Sequence, residues 1–312
     1  MTDSYRQPDS KSDHISVCIC TYKRPQMLSE LLSKLENQVT SNQFTYSSVI
    51  VDNDANQSAQ EIVKVWQQKS TIQIDYYCEP EQNIALARNM AVENAKGNLI
   101  AFIDDDEFPE DTWLSNLFKA YHIYKCDGIL GPVKPHFEGV PPTWLVRGKF
   151  CDRESHRTGR VLDCAQTRTG NVLINANVFK DKNKRFDPSL GRTGGEDIDF
   201  FKRMIHDGKR FVWCNEAATF ETVPPERWGK SFYLKKYIQM GGRTGEIARK
   251  WPLKSKCKWF VKAIFSISFY SVALPFSFLG GEHVFMKCIF KNLYYINWFI
   301  GFFWRPIIRF RY

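Results

Sequence analysis

Apolar residues in the first hundred positions switch between two spacings. Residues 15–20 form a short apolar run, the length of a buried strand. Positions 27, 28, 31, 32 and 35 then recur at helical spacing. The pairing repeats: strand over 48–51 and helix over 59–68, strand over 72–77 and helix over 84–95. Asn83 is the candidate cap of that last helix and Gly97 its stop. A fourth strand is expected over 99–103. Strand and helix in alternation predict an α/β unit with a largely parallel sheet. The pattern then loosens into an α+β extension over 108–220. It has a helix over 113–124, strands over 128–133, 170–174 and 211–214, and an extended stretch over 217–222. Residues 135–170, rich in Pro, Gly and Arg, read as loop.

In such sheets ligands bind beyond the carboxyl ends of the strands. Those ends carry Thr21, Tyr22 and Arg24, then Asp52, then Asn83, then Asp104, Asp105, Asp106 and Glu107. Four successive carboxylates after an apolar run repel one another, and each is costly to desolvate. A solvated acidic loop is the simplest account. The alternative is Mg²⁺ or Mn²⁺, which takes oxygen ligands and bridges one or two carboxylates to nucleotide phosphates. The chain lacks GxGxxG after its first strand and lacks GxxxxGK(S/T), so a nucleotide here relies on a metal and side chains.

A second acidic cluster follows Gly191, Gly194 and Gly195. Apolar positions 198, 200, 201, 204 and 205 place Glu196 and Asp197 in the first turn of a helix. The helix dipole alone favours acids there. The glycines also permit close approach of a ligand, and a carboxylate on such a turn can act as a general base.

Length allows one large core or two smaller ones. Nine scattered cysteines without a CxxC pair predict reduced thiols in a cytoplasmic setting, with Cys18 and Cys20 inside the first strand. Residues 1–13 are polar, expected to be disordered and without a secretory signal. Charge changes the picture more. Of the formal +9, residues 254–312 carry +8, nine Lys and Arg against Glu282 alone. A nearly neutral body with a basic, aromatic end points to an anionic membrane surface and away from nucleic acid. Residues 263–281 hold no charge, and residues 292–306 form a second aromatic stretch with Tyr294, Tyr295, Trp298 and Trp304. The expected organisation is a catalytic domain over 14–250 and membrane-associated helices over 251–312, lying in the interface or in a shallow hairpin.

Five pieces in order resemble the family 2 inverting glycosyltransferases of the GT-A fold. They are residues 17–25, residues 49–53, Asn83 with Ala87, Arg88 and Asn89, residues 103–106, and Gly195, Glu196 and Asp197 before a helix. Val223, Pro224, Pro225, Glu226 and Arg227, followed by a basic helix with Gly241 and Gly242, look like bacterial exopolysaccharide glycosyltransferases of the succinoglycan type. The resemblance implies a Rossmann-like nucleotide-sugar sheet joined to an acceptor half. It implies that Thr21, Asp52 and Arg88 hold a nucleobase, usually uracil, and that Asp104 contacts the nucleoside. Asp106 would ligate the cation, with Asp104 beside it. Tyr22, Arg24, Asn83 and Asp105 would belong to the donor side, and Gly195, Glu196 and Asn171 to the acceptor or donor sugar. Asp197 would be the base. One departure stands out: relatives often carry His before Val-Pro-Pro, where this chain has Thr222 after Glu221. The expected activity is metal-dependent, inverting transfer from a nucleotide sugar, UDP-linked, to a lipid-linked saccharide at the cytoplasmic membrane face. Metal-dependent nucleotidyl transfer and an inactive membrane scaffold of the same fold are the alternatives.

Overall fold

The computed structural model describes residues 13–304. The expected disorder of the N-terminus falls on residues 1–12, outside the described residues, while Asp13 opens the first strand. In chain order the strands are β1 (Asp13–Thr21), β2 (Phe44–Asp52), β3 (Ile74–Cys78), β4 (Leu99–Phe102), β5 (Glu107–Pro109), β6 (Gly128–Leu130), β7 (Val133–His136), β8 (Val172–Asn175), β9 (Phe211–Trp213) and β10 (Thr219–Thr222). The α-helices are α1 (Pro25–Leu35), α2 (Gln60–Lys69), α3 (Ile84–Asn94), α4 (Trp113–Tyr124), α5 (Thr143–Arg147), α6 (Glu196–His206), α7 (Lys230–Ala248), α8 (Leu253–Ser277) and α9 (Glu282–Phe303).

Packing divides the chain into two units. One holds the residues through Pro135 together with Arg153–Glu221; the other holds His136–Asp152 and the residues from Thr222 on. α7, which precedes position 250, falls in the second unit. The reason is that its buried face packs along α9.

In the first unit seven strands run β3-β2-β1-β4-β8-β6-β9. β3, β2, β1 and β4 are mutually parallel, and β8 is antiparallel to both its neighbours. Register sets the rim: Thr21 lies opposite Asp52, and Asp52 opposite Cys78. Period-two alternation in β1 sends Ile15, Val17 and Ile19 to one face and Cys18 to the other. The first face is covered by α1, α2 and α4 through Leu28, Leu31, Trp66, Trp113 and Leu117. The second is covered by α3 and α6 through Ala85, Ala87, Phe200, Phe201 and Met204. The alanines of α3 let that helix lie close to the sheet.

The strand expected over 128–133 is two strands. β6 belongs to the large sheet, and β7 to a three-stranded sheet ordered β5-β10-β7. The break falls at Gly131 and Pro132. Proline has no N–H for a ladder, and its carbonyl instead accepts from Thr219 N and from Asn171 Nδ2. No strand was expected at β5; it pairs antiparallel with β10 and sets Glu107 opposite Glu221.

In the second unit α9 packs on α7 at backbone contact distance. A Cβ at Gly245 would lie 2.0 Å from the Trp298 carbonyl oxygen, and one at Gly301 1.9 Å from that of Gly242. The aromatic stretch expected at lipid headgroups is in part core: Tyr295 and Trp298 are buried against Ala248 and Ala263. α8 is the reverse. With the turn after it, it is long and apolar enough to cross a membrane, and 11% of its most apolar window is buried.

Candidate active site

The site grows from the end of β4. After Phe102 the chain leaves the sheet and turns at Asp105 and Asp106 into β5. Asp105 turns inward and is buried. Its two oxygens accept from the Thr21 hydroxyl at 2.8 Å and from Arg24 Nη1 at 3.0 Å. The same Arg24 nitrogen reaches Asp106 Oδ2 at 3.0 Å. Burial raises the pKa of Asp105, opposed by the Thr21 hydrogen bond and by Arg24. Thr21, Arg24 and Asp105 thus form a clasp between the ends of β1 and β4. Tyr22, half-buried, lies beneath the Lys23 ammonium, 5.1 Å from its ring centre.

Asp104 and Asp106 face outward, with side chains 45% and 23% exposed. Although Asp104 opens to solvent on one side, protein crowds the other. Lost hydration pushes its pKa up to about 6, with Arg88 opposing and Asp106 adding. Behind it Glu107 is fully buried. Its Oε2 accepts from Thr219 Oγ1 at 2.8 Å, while its Oε1 has no hydrogen-bond partner among the described residues. Burial, then the Asp104 charge, push Glu107 well above the usual carboxylate range. Arg153 stands 3.9 Å from Glu107 Oε1 and pairs with Glu221. Arg168, on the same segment, has a buried Nε without a hydrogen-bond partner among the described residues.

Arg88 joins the two acidic clusters. It is buried on α3, ion-paired with Glu196 and 3.9 Å from Asp104. Glu196 is also buried, and its Oε2 has no hydrogen-bond partner among the described residues. The turn before it needs Gly195, whose φ of 101° is left-handed backbone that disfavours a side chain. The segment leading to that turn is anchored by Asn83. Its side chain caps α3 through Ala85 N and donates to the Pro188 carbonyl at 2.9 Å. Asp197 occupies the first turn of α6, half-buried. Its Oδ1 accepts from Ile198 N, and Oδ2 has no protein partner among the described residues.

Some expected ligand residues do other work. Asn171, expected at a sugar, is wholly buried. Its amide accepts from Trp113 Nε1 at 2.7 Å and donates to the carbonyls of Pro132 and Ala217, which leaves no side-chain atom for a ligand. Asp52, also wholly buried, accepts from Asp54 N, Ala59 N and Tyr76 Oη, fixing the start of α2. Glu107 was read only as the last of four successive carboxylates, and three residues near them were not singled out as site residues from sequence: Arg153, Arg168 and Glu221. Their signal was faint, two arginines in an irregular segment and one acid on a short strand.

Do these residues fit a divalent cation? Among the described residues no group of three or more acidic, His or Cys side chains is placed to cage one. Two outward carboxylates, one held near pH 6 by crowding, fit a cation whose remaining positions are filled by phosphates and water.

A parallel sheet with β8 antiparallel, carboxylates at the β4 exit and an acidic helix start define a GT-A glycosyltransferase fold. The glycosyl transferase family 2 model matches residues 16–183, and the chain belongs to that family. It is a glycosyltransferase, and the nucleotidyl-transfer alternative gives way to it. The succinoglycan biosynthesis protein ExoM of Rhizobium meliloti (strain 1021) is 32% identical over 75% of this chain and 75% of its own length. Escherichia coli chondroitin synthase is 27% identical over 72% of this chain, which spans 37% of that longer protein. Among solved structures, S. aureus TarS 1-349 in complex with UDP-GlcNAc superposes with a TM-score of 0.55 at 16% identity, covering 92% of this chain and 91% of that one. GalNAc-T7 with UDP, GalNAc and Mn²⁺ gives 0.52 at 13% identity, over 76% and 51%. These two likenesses establish the fold.

Proposed function

We propose that this family 2 glycosyltransferase moves a sugar from a UDP-sugar to a lipid-linked saccharide during assembly of a cell-surface polysaccharide, with Mg²⁺ or Mn²⁺. The observation that carries the reading is Arg88, which links Asp104 beside the donor to Glu196 beside Asp197. Asp106 and Asp104 would hold the cation, which when bound offsets charge on the leaving diphosphate. Arg24 and Arg88 present guanidinium forks suited to phosphate oxygens. Thr21 and Asp105 keep Arg24 in place, and Asp52 and Asn83 shape the donor rim from behind. Tyr22 lies at its edge. Asp197 accepts the proton of the acceptor hydroxyl. That oxygen bonds to the anomeric carbon as the bond to the diphosphate breaks on the opposite face, so configuration inverts and UDP leaves. Gly195 shapes the turn, and the buried Glu196 holds Arg88 in place beside it.

The ExoM name supports the polysaccharide context, and the UDP and UDP-GlcNAc complexes of TarS support the donor class. For location we propose the cytoplasmic face of an anionic membrane. α8 exposes Phe265, Phe269, Val272 and Phe276 below a basic start at Lys254, Lys256, Lys258 and Lys262. α8 also packs on α9, and α9 along α7, which carries Lys235, Lys236, Arg243 and Glu246. A helical layer that includes a helix so charged fits the interface better than a crossing. Incubating membranes that contain the protein with a panel of nucleotide sugars tests the reading. Nucleoside diphosphate release is expected with one or a few UDP-sugars, and release from none of them refutes it.

A further inference from the structure

α8 and α9 are antiparallel and pack together from Trp259 and Phe260, against Trp298 and Phe299, onward. Near mid-length Tyr270 stacks on Tyr295 with ring centres 6.5 Å apart, and Asn292 donates to Ser271 Oγ at 2.9 Å. At the far end the chain turns at Gly281. Between these closures the helices part around a groove of about 400 Å³, within the range of ligand pockets. Its walls are apolar, with Phe269, Ala273 and Phe276 from α8 and Val284 and Cys288 from α9. Its one charged lining residue is Lys287, which is exposed. No acid pairs with Lys287 among the described residues: Glu282, the sole acid in the sequence from 254 to 312, is held by Lys230. The groove therefore offers a hydrocarbon wall and one uncompensated cation. Phe269 and Phe276 line it and also belong to the exposed apolar stripe of α8, so it opens from the surface proposed to meet lipid.

We infer that this groove holds the hydrocarbon chain of a single lipid whose phosphate pairs with Lys287, and that this lipid is the carrier end of the acceptor. The inference rests on the proposed lipid-linked acceptor. Bulk lipid needs no concavity, because the convex stripe of Phe265 and Val272 already serves it. A groove between two closures matches one chain, and one unpaired ammonium matches one phosphate.

Cys288, buried in the groove wall, reports occupancy by its alkylation rate, and exposed Cys257 is an internal reference. With the full chain in neutral phosphatidylcholine nanodiscs, farnesyl phosphate is expected to slow Cys288 alkylation at least fivefold. Cys257 should be unaffected, and farnesol should act far more weakly. Lys287→Glu should erase the difference between phosphate and alcohol. Ala273→Trp should fill the groove and slow Cys288 without lipid. In transfer assays with a prenyl-linked acceptor, Lys287→Glu should raise the acceptor KM about tenfold and leave acceptor-independent donor hydrolysis unchanged. Equal protection by farnesol and farnesyl phosphate overturns the role of Lys287. Equal protection by phosphatidylglycerol overturns the carrier assignment in favour of bulk lipid. Protection that grows with protein concentration in the absence of lipid assigns the groove to a second copy. If the donor is used and Cys288 is never protected, the groove inference alone fails. If no nucleotide sugar is used while protection is seen, the transfer reading fails and the lipid site stands.

Discussion

Asp104 and Asp106 sit within one turn of each other, yet their surroundings differ. Asp106 shares the Arg24 guanidinium, while Asp104 is raised to about 6 by crowding. A carboxylate raised in the folded state binds protons there that the unfolded chain has released, so its charge weighs against folding above that pH. Asp104→Asn should therefore raise the melting temperature of the EDTA-treated protein at pH 7. That gain should shrink as pH falls through 6 towards 4, where the native aspartate is protonated too. Thermal melts of both proteins across that range check the sign. Asp106→Asn leaves the clasp of Thr21, Arg24 and Asp105 intact, so the fold should survive while cation-dependent binding of UDP is lost. Calorimetric titration with and without Mn²⁺ measures it, and unchanged affinity removes Asp106 from the cation. Asp197→Asn should cut turnover by about 10²–10⁴-fold, the range for a lost general base, with donor affinity little changed. A matching collapse of donor affinity would instead place Asp197 on the donor.

At the scale of elements, glycine contacts set how closely α7 and α9 approach. Gly301→Ala adds a methyl where the Gly242 carbonyl already stands, and overpacking of this kind costs about 1–3 kcal/mol. The melting transition of the second unit should fall accordingly, with the donor site unaffected. α8 makes a different expectation. Phe269→Glu with Phe276→Glu places two charges on the outward stripe, and vesicle flotation should be lost. For the unaltered chain, salt should weaken the preference for anionic over neutral vesicles by screening, without releasing the protein, because the apolar contribution persists. Flotation of the doubly substituted chain at the unaltered level would remove α8 from the membrane contact.

Across the whole molecule, legibility followed locality. β1 through β4 and the helices between them were readable because each carries its own local signal: a short apolar run in β1, an i, i+3, i+4 stripe in α1, a cap at Asn83. The acidic run and the Gly195 turn were readable because clustered charge and clustered glycine are local anomalies. What escaped depends on partners distant in sequence. β5 exists because β10, more than a hundred residues on, pairs with it. Arg153 matters through Glu107 and Glu221, and nothing beside it in sequence says so. Asn171 sits in an apolar stretch where a polar residue looked like a ligand contact, whereas its partners are Trp113 and two carbonyls. The aromatic end misled for a related reason: composition shows that Trp298 is amphipathic, and only packing shows that it faces Ala248 and Ala263.

The shared position of Arg88 has a consequence for the order in which substrates arrive. One guanidinium serves two carboxylates in different clusters, and a ligand that draws it towards Asp104 loosens its hold on Glu196. If donor and acceptor bind on those two sides as proposed, occupancy of one would alter affinity for the other, and equilibrium linkage would make the effect equal in both directions. UDP with Mn²⁺ should change the dissociation constant of an acceptor analogue by some factor, and the analogue should change that of UDP by the same factor. Arg88→Lys keeps the charge but not the fork, and should bring that factor close to one. Such reciprocity would make the enzyme a gatekeeper, committing its donor when a recipient is in place and sparing activated sugar from hydrolysis.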